Sequence, residues 1–156
     1  MSEEEKLVQL LIEKGYTITT AESCTGGLIS ATIVNAPGAS AVLNEAYVTY
    51  ANESKEKLVN VDKKTLETLG AVSEETAKQM AEGAAKAAGA NVALSSTGIA
   101  GPGGGTKEKP VGLVYVGCYV NGTIKVEKCN FEGDRREVRE KTVKKAISMA
   151  ISQIDL

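Results

Sequence analysis

Tyr16-Thr17-Ile18-Thr19-Thr20 followed by Ala21-Glu22-Ser23-Cys24-Thr25-Gly26-Gly27 is the stretch that decides the fold class. The first five residues are short and rich in β-branched side chains, which predicts a strand. Gly26 and Gly27 then remove side-chain bulk where an apolar helix begins, and that helix runs to about Val34. A strand, a glycine turn and a helix in immediate succession form the opening half of an α/β unit.

The flanking segments extend the pattern. Leu7, Leu10 and Leu11 recur at helical spacing over residues 3–14, and Gly15 supplies the stop. Asn35 to Gly38 ends the second helix, and Tyr47 to Tyr50 predicts a second strand. Asn52 is the expected N-cap of a helix carrying Lys55, Leu58 and Val59. Asp62 is expected to cap a short helix with Leu66 and Leu69 on its inner face. Ser73 opens a long alanine-rich helix to about Ala88, with Glu74 and Glu75 suited to the positive end of its dipole. Asn91 to Ser96 has an apolar centre, Val92-Ala93-Leu94, and predicts a central strand. Asn121-Gly122 is a strong hairpin turn between strands over 111–119 and 123–131. A closing helix follows Gly133-Asp134-Arg135 and runs to about Ile154. Helices and strands alternate early and one hairpin comes late. The prediction is a three-layer α/β/α domain with a mixed, mostly parallel sheet.

The 156 residues are read as one domain, 1–156, large enough to bury a core without disulfide staples. Eighteen basic and 20 acidic residues leave a net charge of −2, with no basic block. A nucleic-acid footprint is therefore not expected. The acidic N-terminus carries no signal-peptide pattern and no apolar run approaches the length of a membrane span, so a cytoplasmic protein is expected. The three cysteines, an odd number without C-x-x-C spacing, fit neither a disulfide framework nor a zinc site. The chain has no histidine. A Ser-His-Asp triad, a Cys-His pair and a histidine metal site are all excluded within it.

Three segments could carry chemistry. At the end of the first strand, Ser23 precedes Thr25, Gly26 and Gly27, whose backbone N–H groups could hold a phosphate or a developing oxyanion. Equally, Ser23 or Thr25 could be a helix cap beside a tight turn. Lys55 lies early in a helix, where the dipole slightly favours the neutral amine. Acting as a base near neutral pH requires its pKa to fall by about 3 units, which burial can supply; the alternative is a solvated surface lysine. Without histidine, a lysine is the main candidate base for a serine. The third segment, Ser95 to Gly105, follows the central strand. Ser96 and Thr97 bring hydroxyls, and Gly98 and Gly101 let backbone approach an anion or amide closely; it could also be a flexible surface loop. Arg135 and Arg139 share one face of the last helix. They could clamp a phosphate or carboxylate, or pair with Asp134 or Glu140.

Taken together these segments resemble the CinA C-terminal domain family, the nicotinamide-nucleotide amidohydrolases. The resemblance is carried, in order, by residues 20–27, 48–55, 70–73, 96–102, 109–112 and 133–135, and it spans nearly the whole chain. It implies conversion of nicotinamide mononucleotide to nicotinate mononucleotide and ammonia, without metal or cofactor. Ser23 matches the family nucleophile, Lys55 its base and Tyr50 the tyrosine near that pair. Either Arg135 or Arg139 matches the functional arginine. The resemblance also implies a small-molecule nucleotide substrate, a place in pyridine-nucleotide metabolism, a link to competence or damage induction, and self-association into a dimer or larger homo-oligomer. Three rival expectations stand beside it. One is a non-catalytic, pyridine-nucleotide-binding regulatory domain. Another is a nucleic-acid-associated protein, which the acidic balance disfavours. The last is a cysteine hydrolase using Cys24, disfavoured because neighbouring strand-end side chains face opposite sides.

Overall fold

The structure, a computed structural model, describes residues 1–156. Six helices and five strands alternate in the order α1 (Glu3–Lys14), β1 (Ile18–Glu22), α2 (Leu28–Val34), β2 (Tyr47–Val48), α3 (Asn52–Val59), α4 (Lys63–Thr68), α5 (Glu74–Ala88), β3 (Val92–Gly98), β4 (Leu113–Val120), β5 (Thr123–Asn130) and α6 (Arg135–Ile154). A single 3-10 turn, Ala39–Ala41, interrupts the connection from α2 to β2.

The sheet order is β2-β1-β3-β4-β5. β1 pairs in parallel with β2 and with β3, whereas β4 is antiparallel to β3 and to β5. Four strands therefore point one way and β4 alone reverses. The 99–112 connection turns β4 back along β3, and the hairpin at Asn121-Gly122 turns β5 round again; both turn residues have positive φ, the requirement of a two-residue turn matched to strand twist.

Helices cover both faces. Leu7, Leu11, Ile29, Ile33, Val143 and Ile147 of α1, α2 and α6 pack on Val92, Leu94, Val114 and Val116. On the other face Val59, Leu66, Met80 and Ala84 of α3, α4 and α5 pack on Ala21 and Ala93. Alternation along β1 thus sends Ala21 to the α3–α5 layer and its neighbours to the α1–α2–α6 layer. The central strand β3 is buried over Val92–Thr97, as a strand covered on both faces must be.

Several local expectations are corrected. β1 begins two residues later than Tyr16 and extends to Glu22, because its ladder with β3 runs from Ile18 to Glu22. β2 is only Tyr47–Val48; Thr49 and Tyr50 leave the sheet so that their carbonyls can face Lys55. Ala51, not Asn52, is the N-cap of α3 and makes no side-chain cap bond. Leu69 lies past the end of α4 and is exposed, while Leu66 is buried. Gly98 is the last residue of β3 rather than part of the glycine loop. No helix is long and apolar enough to cross a membrane.

Candidate active site

The C-terminal ends of β1 and β3 and the start of α3 converge on one buried pair. Strand alternation continues past β1, so Ser23 faces the α3–α5 layer while Cys24 joins the core on the α6 side. α3 directs Lys55 toward its own N-terminus, the direction in which helical side chains lean. The Lys55 Nζ lies 3.1 Å from Ser23 Oγ, 2.8 Å from the Thr49 carbonyl and 3.1 Å from the Tyr50 carbonyl.

Lys55 is 1% exposed and has no carboxylate partner. Burial disfavours the ammonium and pulls its pKa from 10.5 to about 8. Two of the three polar neighbours are carbonyls, which can only accept. A neutral amine in this nest gives its two hydrogens to those carbonyls and turns its lone pair on the Ser23 hydroxyl. The helix dipole weighed in the sequence is secondary to this burial.

The turn that carries Ser23 is held from both sides. Gly26 and Gly27 have φ of 57° and 105°, conformations that a side chain disfavours. Ser23 N–H donates to the Ser96 carbonyl, and Gly26 N–H returns to the Ser23 carbonyl. Glu22 is fully buried, and its carboxylate accepts from Ile29 N–H, Ser30 N–H, Thr20 Oγ1 and Thr25 Oγ1 at 2.6–3.0 Å. The start of α2 is thus already occupied by an internal anion and is closed to a ligand phosphate. The amides of Cys24, Thr25 and Gly27 are the ones in the turn that donate to no protein acceptor.

The remaining candidates separate by position. Because Thr25 Oγ1 donates to Glu22, the Ser96 hydroxyl donates to Thr25. Thr97 donates to the Ala71 carbonyl. Both hydroxyls are buried, and their protons are engaged within the fold. Gly98 is engaged in the ladder opposite Val114. Gly101 lies at the start of the glycine loop, where its carbonyl accepts from Arg135 at 2.6 Å. Arg135 also donates to the Tyr50 phenol at 3.0 Å, so it ties the exposed Tyr50 ring to the buried Gly101 carbonyl at the edge of the loop. Tyr50 thus offers its carbonyl to the Ser23–Lys55 pair and its ring to solvent. Arg139 is half-buried and donates to the Cys24 carbonyl at 3.1 Å and the Thr25 carbonyl at 2.8 Å. Neither arginine pairs with Asp134 or Glu140; Asp134 instead closes a capping box with Glu137.

Glu22 was not singled out in the sequence. Its signal was available: a carboxylate at a strand end, six residues before an uncapped helix. The Cys24 thiol is driven by burial up to about 11, which leaves it protonated and inert at neutral pH. A surface groove of about 770 Å³ between α1, α2 and α6, lined by Leu28, Val143, Ile147 and Glu140 among others, reaches neither Ser23 nor Lys55. Chemistry, not concavity, locates the site.

Comparison with known proteins gives a consistent picture. Residues 1–154 match the model of the CinA C-terminal domain. A protein of Clostridium acetobutylicum named as competence-damage inducible is 58% identical over 144 residues, covering 92% of this chain and 35% of the relative. A Clostridioides difficile protein of the same name is 57% identical over 136 residues, covering 87% of this chain and 32% of the relative. The chain spans about a third of the length of these relatives. Among solved structures, the competence/damage inducible protein CihA of Agrobacterium tumefaciens superposes with a TM-score of 0.92 at 41% identity, covering 100% of this chain and 98% of that one. A CinA superfamily protein of Escherichia coli superposes with a TM-score of 0.93 at 32% identity, covering 97% and 88%.

Proposed function

Because this chain belongs to the CinA C-terminal domain family, we propose that it is a serine–lysine amidohydrolase that converts nicotinamide mononucleotide to nicotinate mononucleotide and ammonia. The observation that carries this reading is the 3.1 Å approach of a buried, carboxylate-free Lys55 to Ser23 Oγ. A lysine in that state is a base matched to near-neutral pH. The nicotinamide specificity comes from the family resemblance of the motifs and not from the pair itself.

In the proposed reaction, neutral Lys55 takes the Ser23 proton as Oγ attacks the carboxamide carbon. The carbonyl π electrons move onto oxygen, and free turn amides hold that charge. On collapse the C–N bond breaks, and the Lys55 ammonium returns its proton to the departing nitrogen, releasing ammonia. Water then adds to the acyl-enzyme with Lys55 again as base, giving the carboxylate product and restoring Ser23. Arg135, with Tyr50 and the Gly101 loop, forms the rim suited to the substrate phosphate. The same reading takes the protein to act on a small nucleotide rather than on nucleic acid or membrane, and to self-associate as a dimer or larger homo-oligomer.

The test is ammonia release from nicotinamide, its riboside, its mononucleotide and the dinucleotide. The mononucleotide is the expected substrate, and Ser23→Ala and Lys55→Ala should each lower its turnover by at least about a thousandfold. Full activity in either variant removes that residue from the chemistry. Binding of the mononucleotide without ammonia release would support the regulatory alternative instead.

A further inference from the structure

The half-buried arginine of α6 has a different task from the exposed one at the rim. Arg139 grips two successive peptide carbonyls, those of Cys24 and Thr25, immediately after Ser23. In a trans peptide the C=O and the following N–H point in opposite directions. Fixing the Cys24 carbonyl toward α6 therefore turns the Thr25 N–H away from α6. The Thr25 carbonyl, held likewise, fixes the next peptide, whose Gly26 N–H goes to the Ser23 carbonyl at 3.0 Å. Of these two oriented amides, only that of Thr25 has no acceptor in the protein.

The layering gives that direction a meaning. α6 packs with α1 and α2 on one face of the sheet, whereas α3, which carries Lys55, packs with α5 on the other. Ser23 faces the α3 layer. We propose that Arg139 is a positioning residue: by anchoring the Cys24 and Thr25 carbonyls on the α6 side, it sets the Thr25 N–H as an oxyanion donor beside Ser23 Oγ. On this assignment Arg139 touches no substrate, and Arg135 is left to hold the phosphate. Glu22 braces the same turn from within, through the Thr25 hydroxyl and the start of α2. The inference rests on the serine–lysine reading above.

Arg139→Lys is the informative substitution, because a single nitrogen on a shorter side chain keeps the charge but does not reproduce the two-nitrogen grip by which Nε and Nη2 hold the Cys24 and Thr25 carbonyls. The variant should lose about 100-fold in kcat for ammonia release, with KM within about threefold of wild type. Its pH midpoint should be unchanged, since Lys55 is untouched. A second readout is independent of the natural substrate: the rate at which Ser23 displaces fluoride from a fluorophosphonate probe, passing its proton to Lys55. That reaction also builds charge on an oxygen, so Arg139→Lys should slow it in parallel. Arg139→Ala, should the lysine variant unfold, should regain part of the labelling rate when guanidinium is added at low concentration. Wild-type labelling rates in Arg139→Lys, a raised KM with intact kcat, or no guanidinium rescue would each overturn the assignment. If wild type is labelled at Ser23 but releases no ammonia from any nicotinamide compound, the substrate reading falls and the labelling comparison still decides the role of Arg139. Failure of the wild type to label overturns both.

Discussion

A lysine enclosed by two carbonyls and a serine, with no acid nearby, is costly to keep charged. A fall in pKa from 10.5 to about 8 corresponds to about 3 kcal/mol of preference for the neutral amine. This has a kinetic consequence at the scale of the single residue. On the proposed mechanism Lys55 acts unprotonated, so kcat/KM should rise about tenfold per pH unit below its pKa and level off above about pH 8. A pH–rate profile of the free enzyme checks it; a midpoint near 10 would mean that burial does not tune Lys55. Cys24, one residue from Ser23, behaves oppositely. Burial raises its thiol, and alternation turns it into the core, so adjacency in sequence gives it no share in the chemistry.

Among the elements, α3 matters most, because it brings Lys55 to Ser23. Its C-terminal end is seated directly on α5: a Cβ placed at Gly83 would penetrate the Val59 carbonyl. Gly83→Ala must therefore push α3 off α5. We expect it to destabilise the protein by about 1–3 kcal/mol, the usual penalty for overpacking, and to lower kcat by moving Lys55. Urea unfolding and ammonia release on the same variant check both parts; an unchanged midpoint with full activity would mean that the two helices have room to spare. α2 illustrates the same dependence from the other side. It has no side-chain cap at Gly27, and the buried Glu22 carboxylate supplies what a cap would have given. Glu22 meets the Ile29 and Ser30 amides, so the donors that stay open at this turn are those just before the helix, on Cys24, Thr25 and Gly27.

Across the whole molecule, ionic contacts contribute little. The three ion pairs, Lys6–Glu3, Lys86–Glu82 and Lys145–Glu127, are all solvent-exposed, and such pairs are weak. Stability comes from two apolar cores, one on each sheet face, with Lys55 as a buried charge working against them. The folded pKa of Lys55 lies below its unfolded value, so between pH 8 and 10.5 the unfolded chain holds the extra proton. Unfolding free energy from this group therefore rises with pH across that window, and its penalty is fully present below pH 8. Lys55→Met lacks the titration. The stability of wild type relative to Lys55→Met should rise by about 3 kcal/mol from pH 7.5 to pH 10.5, measured by urea unfolding at the two pH values. A difference independent of pH would show that Lys55 is solvated.

The order and type of the elements were legible in the sequence because they follow from local rules: the period of apolar residues, glycine stops, the caps Asp62 and Ser73, and the Asn121-Gly122 turn. The absence of histidine left lysine as the expected base for a serine, a role that the proposed function assigns to Lys55. What required tertiary structure was every relation between distant segments. Ser96, Thr97, Arg135 and Arg139 all looked like ligand contacts in the linear chain. Folding set Arg135 apart on the exposed rim and closed the other three onto backbone or buried hydroxyls. A polar side chain can meet a ligand only if the fold leaves it facing solvent with donors to spare, and that depends on neighbours as far as 115 residues away in the chain, which no local pattern records.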